Sequence, residues 1–392
     1  MTHAISKVAP DIYYIGVDDH TIDLFESQYP VPDGISYNSY VVKSDKIAVV
    51  DTTDNRTADE WLDNLRSVLD GKTPDYLVIE HLEPDHSSLI QTFAELYPES
   101  KLVMTAKAAT MLPNYLEPML PQERIIQVKE GDTLDLGQVT MQFYMTPMVH
   151  WPEVMMIYVP EEKLLFSADA FGTFATYGTP AAEWKKEARR YYINIVGKYG
   201  TQVQAALKKL SGLDITTICP LHGPVLRENI ADALASYDIW SSYKEEKDGI
   251  FIACASIHGN TLEAARYLAE ALGKSGVEKV HLTDLTREPV SVAVADAFRY
   301  PKAIFCASSY DAGLFTPMHT FLHTLSIKGY SNKKVALVEN GSWAPTAGKV
   351  MRSMLEGMKN VEILPDIVTV KGKFKTADRD AMLEFARKVI EM

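Results

Sequence analysis

Residues 76–86, Tyr-Leu-Val-Ile-Glu-His-Leu-Glu-Pro-Asp-His, join a short apolar run to a cluster of side chains that bind metals. The apolar run Tyr76–Ile79 predicts a strand, so the residues after it lie on a loop at the carboxyl end of that strand. This loop offers four metal-binding side chains: His81, Glu83, Asp85 and His86. Pro84 stiffens the turn, and the carboxylate of Asp85 is well placed to bridge two neighbouring metals. The stretch therefore predicts a metal site at one edge of a sheet.

Three more metal-binding side chains stand where other short apolar runs stop. They are His150, Asp169 and His222. A single His or Asp in such a place is usually a hydrogen-bonded turn residue. A cluster of four, with three more at the ends of predicted strands, is hard to explain by turns alone. The whole set favours a metal centre on one edge of the fold.

The first half of the chain alternates short apolar runs with turns and some helices. An amphipathic helix is predicted over Thr57–Asp70, because Trp61, Leu65 and Leu69 recur at helical spacing, and Gly71 is expected to end it. The other predicted strands are Ile47–Val50, Leu102–Thr105, Met141–Thr146, Val154–Val159, Leu164–Ser167 and Ile215–Ile218. Many strands with interleaved helices favour an α/β sandwich over an all-β fold.

The second half alternates strands with helices in regular order. The predicted strands are Ile250–Ala255, Lys279–Leu282, Ala303–Ala307, Val335–Val338 and Ile363–Val370. The predicted helices are Thr261–Lys274, Val292–Arg299, Thr316–Ser326, Lys349–Lys359 and Thr376–Glu391. This order is typical of a doubly wound parallel sheet. The polar stretch Ser241–Gly249 interrupts the apolar pattern, so we expect two domains, residues 1–248 and 249–392.

Composition limits the classes of function. The chain has 392 residues and a net charge of −13, and it lacks runs of Lys and Arg, which argues against nucleic acid as the main partner. No apolar stretch reaches the roughly 18 residues of a membrane helix. The segment Met1–Pro10 lacks the pattern of a signal peptide. The three cysteines are far apart, without a CxxC pair. Together these features predict a cytoplasmic protein.

The metal-binding pattern resembles that of the metallo-β-lactamase superfamily, whose hydrolases carry H-x-H-x-D-H. Here Glu83 replaces the second His, and this variant resembles the flavodiiron proteins, or A-type flavoproteins. A carboxylate in place of an imidazole makes the site harder and more anionic, which favours iron over zinc. The resemblance implies that one iron binds His81, Glu83 and His150, and that the second binds His86 and His222. It also implies that Asp85 helps to hold the pair and that Asp169 bridges it.

Other segments extend this resemblance to the first half of the chain. The stretches Gly34–Tyr40, Trp151–Glu153 and Arg190–Ile195 are similar to segments of the family. Tyr192 is a plausible hydroxyl beside the pocket, although a core tyrosine is an equal alternative. There is also a departure: many members carry Phe-His-Gly where this chain has Phe-Glu-Ser at residues 25–27. The change places Glu26, a carboxylate, near the pocket.

Three loops of the second half are expected to bind a cofactor. They follow the first, third and fourth predicted strands and contain Ser256, Ile257, His258, Gly259, Asn260 and Thr261; Ser308, Ser309, Tyr310, Asp311, Ala312 and Gly313; and Asn340, Gly341, Ser342, Trp343 and Ala344. The first loop is similar to the flavodoxin phosphate loop T-x-T-G-N-T. The resemblance implies that FMN binds here, its phosphate held by hydroxyls and a helix N-terminus, with Trp343 stacked on the ring.

The whole resemblance implies a metallo-β-lactamase-like αββα sandwich followed by a flavodoxin-like domain. It implies that electrons pass from FMN to a diiron site that reduces dioxygen to water or nitric oxide to nitrous oxide. It also implies a head-to-tail homodimer or a dimer of dimers, with a separate electron donor such as a rubredoxin or a flavin reductase. Two alternatives remain: a lactamase-type hydrolase with an attached flavodoxin domain, and an electron carrier that uses FMN alone.

Overall fold

The computed structural model describes residues 5–392, so the first four residues of the predicted N-terminal domain lie outside it. The chain forms two compact units, Met1–Asp238 and Ile239–Met392. The predicted boundary at residues 248 and 249 lies slightly downstream of this division. The polar stretch before that boundary is held in the second unit, because the backbone N–H groups of Glu246 and Lys247 both donate to the carbonyl of Arg299.

The first unit is built from short strands and helices. Its strands are β1 (Ser6–Ala9), β2 (Ile12–Tyr14), β3 (Val17–Asp19), β4 (Leu24–Phe25), β5 (Tyr29–Pro30), β6 (Ile35–Tyr37), β7 (Tyr40–Lys43), β8 (Ile47–Val50), β9 (Tyr76–Val78), β10 (Lys101–Thr105), β11 (Ile125–Val128), β12 (Thr133–Asp135), β13 (Thr140–Met145), β14 (Met155–Val159), β15 (Leu164–Phe166) and β16 (Thr217–Cys219). The α-helices that begin in it are α1 (Ala58–Leu69), α2 (Pro84–Ser87), α3 (Ile90–Leu96), α4 (Ala106–Met111), α5 (Trp184–Tyr191), α6 (Gly200–Leu210) and α7 (Ile230–Ser241).

Two sheets form the centre of this unit. One has seven strands in the order β1-β2-β7-β8-β9-β10-β11, and the other has five in the order β12-β13-β14-β15-β16. A fully buried cluster that includes Val50, Val103, Phe143 and Ile157 fills the space between them. A second cluster, with Trp61, packs α1, α3 and α4 on the outer face of the seven-stranded sheet. Burial of these apolar side chains is the main force that holds the layers together.

Helix α1 ends one residue earlier than the sequence predicted. Its last residue is Leu69, and Asp70 itself takes the left-handed conformation, with φ of 50°, before Gly71 at 77°. Asp is one of the few residues with a side chain that visits this conformation. The other predicted helices and strands of both units are present, with ends that differ by no more than three residues.

The second unit is a parallel sheet with helices between its strands. Its strands are β17 (Ile250–Ala255), β18 (Val280–Asp284), β19 (Lys302–Tyr310), β20 (Gly313–Leu314), β21 (Lys333–Asn340) and β22 (Val361–Val370). Its helices are α8 (Asn260–Lys274), α9 (Val290–Phe298), α10 (Thr316–Ile327), α11 (Ala347–Glu356) and α12 (Arg379–Glu391). The sheet order is β18-β17-β19-β21-β22, with β20 paired to β19. Such an order has its switch point between β17 and β19, where ligands bind in open α/β sheets.

None of the helices within residues 5–392 combines the length and the hydropathy that a membrane-spanning segment requires.

Candidate metal centre and cofactor cavity

The seven side chains predicted to bind metals meet in the first unit. They form two groups, the first of His81, Glu83, His150 and Asp169 and the second of Asp85, His86 and His222. Within each group, the potential ligand atoms all lie within 4.8 Å of one another. The positions follow from the fold, because these residues come after β9, β13, β15 and β16 or lie on the short helix α2. Pro84 begins that helix, where its missing N–H has no cost.

Asp169 connects the two groups. Its Oδ2 lies 3.1 Å from Nε2 of His81 and 3.1 Å from Nε2 of His150, in the first group. Its Oδ1 lies 3.5 Å from Nε2 of His222 and 3.6 Å from Nε2 of His86, in the second group. One carboxylate therefore turns an oxygen toward each group, as a bridge between two metal ions does.

Residues outside the two groups hold the ligands in place. Glu153 Oε1 lies 2.8 Å from Nδ1 of His81, and the carbonyl oxygen of Ser36 lies 2.7 Å from Nδ1 of His222. When each Nδ1–H donates to its oxygen, the Nε2 lone pair of the same ring points into the cluster. Such contacts orient metal-binding imidazoles and raise their basicity. Sequence reasoning assigned no role to Glu153 or Ser36, although both lie in segments that resemble the family.

Asp169 accepts a hydrogen bond from the hydroxyl of Tyr191, the neighbour of Tyr192, which the sequence suggested as a hydroxyl beside the pocket. Tyr191 Oη lies 2.9 Å from Asp169 Oδ1, and both side chains are fully buried. Tyr192 is buried as well, and its ring packs against Tyr237 with a centroid distance of 4.9 Å. Tyr191 is the last residue of α5, and a π-helical turn, Tyr192–Val196, follows it.

The charges of the cluster are mutually dependent. Burial opposes the protonated form of His150, but hydrogen bonds to Asp169 and Glu83 raise its pKa to about 9. Burial also opposes ionisation of Asp169, but the charge of His81 and hydrogen bonds from the imidazoles hold its pKa well below the usual range. Buried carboxylates and imidazoles of this kind need a compensating positive charge, from protons or from metal ions.

The contacts inside the second group leave polar atoms that a cation would satisfy. Nε2 of His86 and Nε2 of His222 face each other at 3.1 Å. With the Nδ1–H of His222 directed at Ser36, Nε2 of His222 is an acceptor, and either a proton on Nε2 of His86 or a metal ion would satisfy it. Both oxygens of Asp85 are buried and have no hydrogen-bond partner among the described residues. An imidazole and carboxylate donor set of this composition suits iron.

A separate cavity of about 480 Å³ lies in the second unit, at the carboxyl ends of β17, β19 and β21. Of the residues predicted to bind a cofactor, those that line it are Ser256, Ile257, His258, Asn260, Thr261, Ser308, Ser309, Tyr310, Asp311, Ala312, Asn340, Gly341, Ser342, Trp343 and Ala344. Gly259 and Gly313 do not line it. Gly372, which sequence reasoning missed, does. It follows β22 and donates its N–H to Oδ1 of Asn340, so the fifth strand also reaches the cavity.

The cavity fits a phosphate and an aromatic ring. Ser256 Oγ is buried without a hydrogen-bond partner in residues 5–392, and it lies beside the N-terminus of α8, where backbone N–H groups favour an anion. Gly259, with φ of 86°, precedes that helix and leaves it without a side-chain cap. Trp343 is 92% exposed at the lining, so its face is open to a stacked partner. The stacking of Trp343 on a flavin stays a prediction.

Comparisons with known proteins bear on both the metal centre and the cofactor cavity. A family model described as "ODP family beta lactamase" matches residues 35–223. The chain is 34% identical over 294 residues to diflavin flavoprotein A 1 of Synechocystis, covering 73% of this chain and 50% of that protein. It is 28% identical over 357 residues to the anaerobic nitric oxide reductase flavorubredoxin of Aeromonas hydrophila, covering 88% of this chain and 71% of that protein. The chain thus spans about half the length of the first of these relatives.

A solved structure matches almost the whole chain. The rubredoxin oxygen:oxidoreductase of Desulfovibrio gigas superimposes with a TM-score of 0.92 at 26% identity, covering 99% of this chain and 98% of that one. This match confirms the predicted fold class, a metallo-β-lactamase-like sandwich followed by a flavodoxin-like sheet.

Proposed function

Because the chain belongs to the flavodiiron protein family, we propose that it is an oxidoreductase that reduces dioxygen to water, nitric oxide to nitrous oxide, or both. The observation that carries this proposal is the pair of ligand groups joined by Asp169. A lactamase-type hydrolase is the weaker alternative, because Glu83 adds a third carboxylate to the site and a flavin-sized cavity is present in the same chain.

The residues that would hold the irons follow from the two groups. His81, Glu83 and His150 would bind one iron, and His86 and His222 the other. Asp169 would bridge them, and Asp85, on the side of the second group, would help to hold the pair. When bound, FMN and the two irons supply the redox chemistry, since reduced FMN and two ferrous ions together carry the four electrons that convert dioxygen to water.

The surrounding residues of the chain position these ligands. Glu153 and the carbonyl of Ser36 fix the rings of His81 and His222, so that their Nε2 atoms stay directed into the cluster. Tyr191 holds a proton at Oδ1 of Asp169, which keeps this buried oxygen satisfied. His81, Asp169 and His222 are almost fully buried, and exclusion of bulk water from them strengthens these electrostatic contacts.

The partners are part of the same proposal. Two of the three named relatives, the flavorubredoxin and the rubredoxin oxygen:oxidoreductase, are proteins whose names include rubredoxin. This supports a rubredoxin-like donor for the present chain, whose three cysteines include no CxxC pair. A flavin reductase is the alternative donor. A head-to-tail homodimer, alone or as a dimer of dimers, would bring the flavin of one subunit to the irons of another. The cytoplasmic location stays a prediction.

Gas consumption by the anaerobically reduced protein, loaded with iron and FMN, tests this function. We expect kcat/KM to be substantial for dioxygen, nitric oxide or both, with no peroxide released from dioxygen. The matched control is Asp85→Asn, which should lose iron and gas consumption while FMN stays bound. If neither gas is consumed while both cofactors are present and reduced, the proposal is wrong.

A further inference from the structure

A cavity of about 410 Å³ opens beside the proposed iron ligands, and its charge is strongly negative. Glu83 and Asp85 form part of its lining, and three other carboxylates join them: Asp23, Glu26 and Asp54. One cation, Arg56, lines the same cavity, and its Nε is already bound to Asp19 Oδ2 at 2.9 Å. The space through which a small molecule would approach the ligands is therefore bordered by three carboxylates outside the ligand groups and by one cation that is already paired.

Glu26 occupies this border because a tight turn holds it there. Strands β4 and β5 pair as a hairpin, and the N–H of Gln28 donates to the carbonyl of Phe25 across the turn. The two central residues, Glu26 and Ser27, have φ of 48° and 56°. This combination is a type I′ turn, which normally carries Gly or Asn. Here Glu and Ser take the left-handed conformation in place of Gly or Asn. The structure around the turn must therefore hold it in this geometry.

Those surroundings are the metal centre itself. The Phe25 ring packs edge-on against the His222 ring, with a centroid distance of 5.2 Å, and against Phe174 at 5.7 Å. At the other end of the turn, the hydroxyl of Tyr29 donates to the carbonyl of Asn194. Both flanking aromatic side chains are buried. The hairpin is thus packed directly on a proposed iron ligand, and the position of Glu26 is coupled to that of the cluster.

We propose that Glu26 is a specificity-determining residue that makes the approach to the metal centre repel anions while neutral gases enter freely. This inference rests on the proposed function, since it assumes an iron pair at the ligand groups. A fixed carboxylate lowers the local concentration and the affinity of any anion near the irons. It leaves dioxygen and nitric oxide unaffected, because neither carries a net charge. The residue would thereby protect the centre from small anionic inhibitors.

Azide binding to the oxidised, iron- and FMN-loaded protein tests this inference. The Kd is obtained from the visible absorption of the iron–azide complex. The titration is done at about pH 8.5, far above the ordinary pKa of a carboxyl group, so that the Glu26 side chain is ionised. We expect Glu26→Gln to bind azide roughly three- to tenfold more tightly than the unaltered protein at low salt. The difference should shrink at about 0.5 M salt.

Two controls separate this effect from others. Glu123→Gln removes the same charge from an exposed surface position outside the cavity, and its azide affinity should not change. Nitric oxide binding to the reduced protein should be the same for Glu26→Gln and the unaltered chain.

Equal azide affinity with and without Glu26, or an equal gain in the Glu123 variant, would refute the inference. Loss of iron from Glu26→Gln would also overturn it, since Glu26 would then be a ligand. An unaltered protein that binds no iron pair would instead contradict the proposed function.

Discussion

The hydrogen bond from Tyr191 to Asp169 gives the sharpest prediction about the metal centre. Tyr191→Phe removes a donor 2.9 Å from an oxygen of a fully buried carboxylate, and water cannot replace it there. A hydrogen bond to a charged group contributes about 1.5–3 kcal/mol. At about 1.4 kcal/mol per factor of ten, this corresponds to a loss of roughly 10- to 100-fold in metal affinity, the range seen for residues that orient ligands.

The assay is competition for ferrous iron between the protein and a chelator of known affinity, without oxygen. The control is Tyr192→Phe, which removes a hydroxyl from the adjacent residue while its ring remains packed against Tyr237. We expect the control to change iron affinity less than twofold. If Tyr191→Phe retains iron as well as the unaltered protein does, or if Tyr192→Phe has the larger effect, the role given to Tyr191 is wrong.

Three other predictions concern the cofactor cavity, the strained turn and a buried lysine. Trp343→Ala should weaken FMN binding about 3- to 10-fold, measured by flavin fluorescence, because a stacked aromatic pair contributes about 0.5–1.5 kcal/mol; unchanged affinity and unchanged flavin re-oxidation would contradict stacking. Ser27→Gly should raise the free energy of unfolding by about 1 kcal/mol, since Gly tolerates φ of 56°, whereas Ser27→Ala should give no gain. Burial lowers the pKa of Lys333 to about 8, partly opposed by Glu245 and Glu246. The folded state therefore loses this proton at a lower pH than the unfolded state does. The stability of the second unit should consequently rise between about pH 8 and pH 10. Lys333→Met should flatten that rise, as hydrogen exchange in β21 would show.

The extent to which sequence predicted this protein differs between its parts. The second unit was predicted almost completely, because its strands are long apolar runs and each is followed by a helix of clear periodicity. In the first unit, β1 to β7, β11 and β12 were not predicted. They have two to four residues each, too few for alternation of apolar and polar residues to be distinguished from a loop.

The metal-binding residues were also easier to predict from sequence than the residues that orient them. The seven metal-binding side chains were found because four of them lie in one loop and three more stand at strand ends, a set that turns alone do not explain. Glu153 escaped notice because its partner His81 is 72 residues away. Tyr191 and Tyr192 could not be told apart from sequence, since adjacent residues of a helix point about 100° apart and the π-helical turn shifts the phase at this point.

The phosphate end of the cofactor cavity has a consequence for how the flavin would respond to its medium. Among the described residues, those that line this cavity include no Lys or Arg. Hydroxyls and the N-terminus of α8 would hold the anion through dipoles, whose fields fall off faster with distance than those of full charges. Few ions would be displaced when FMN binds, so a higher ionic strength should not weaken its affinity. A protein built this way would keep its flavin in brine as well as in dilute buffer.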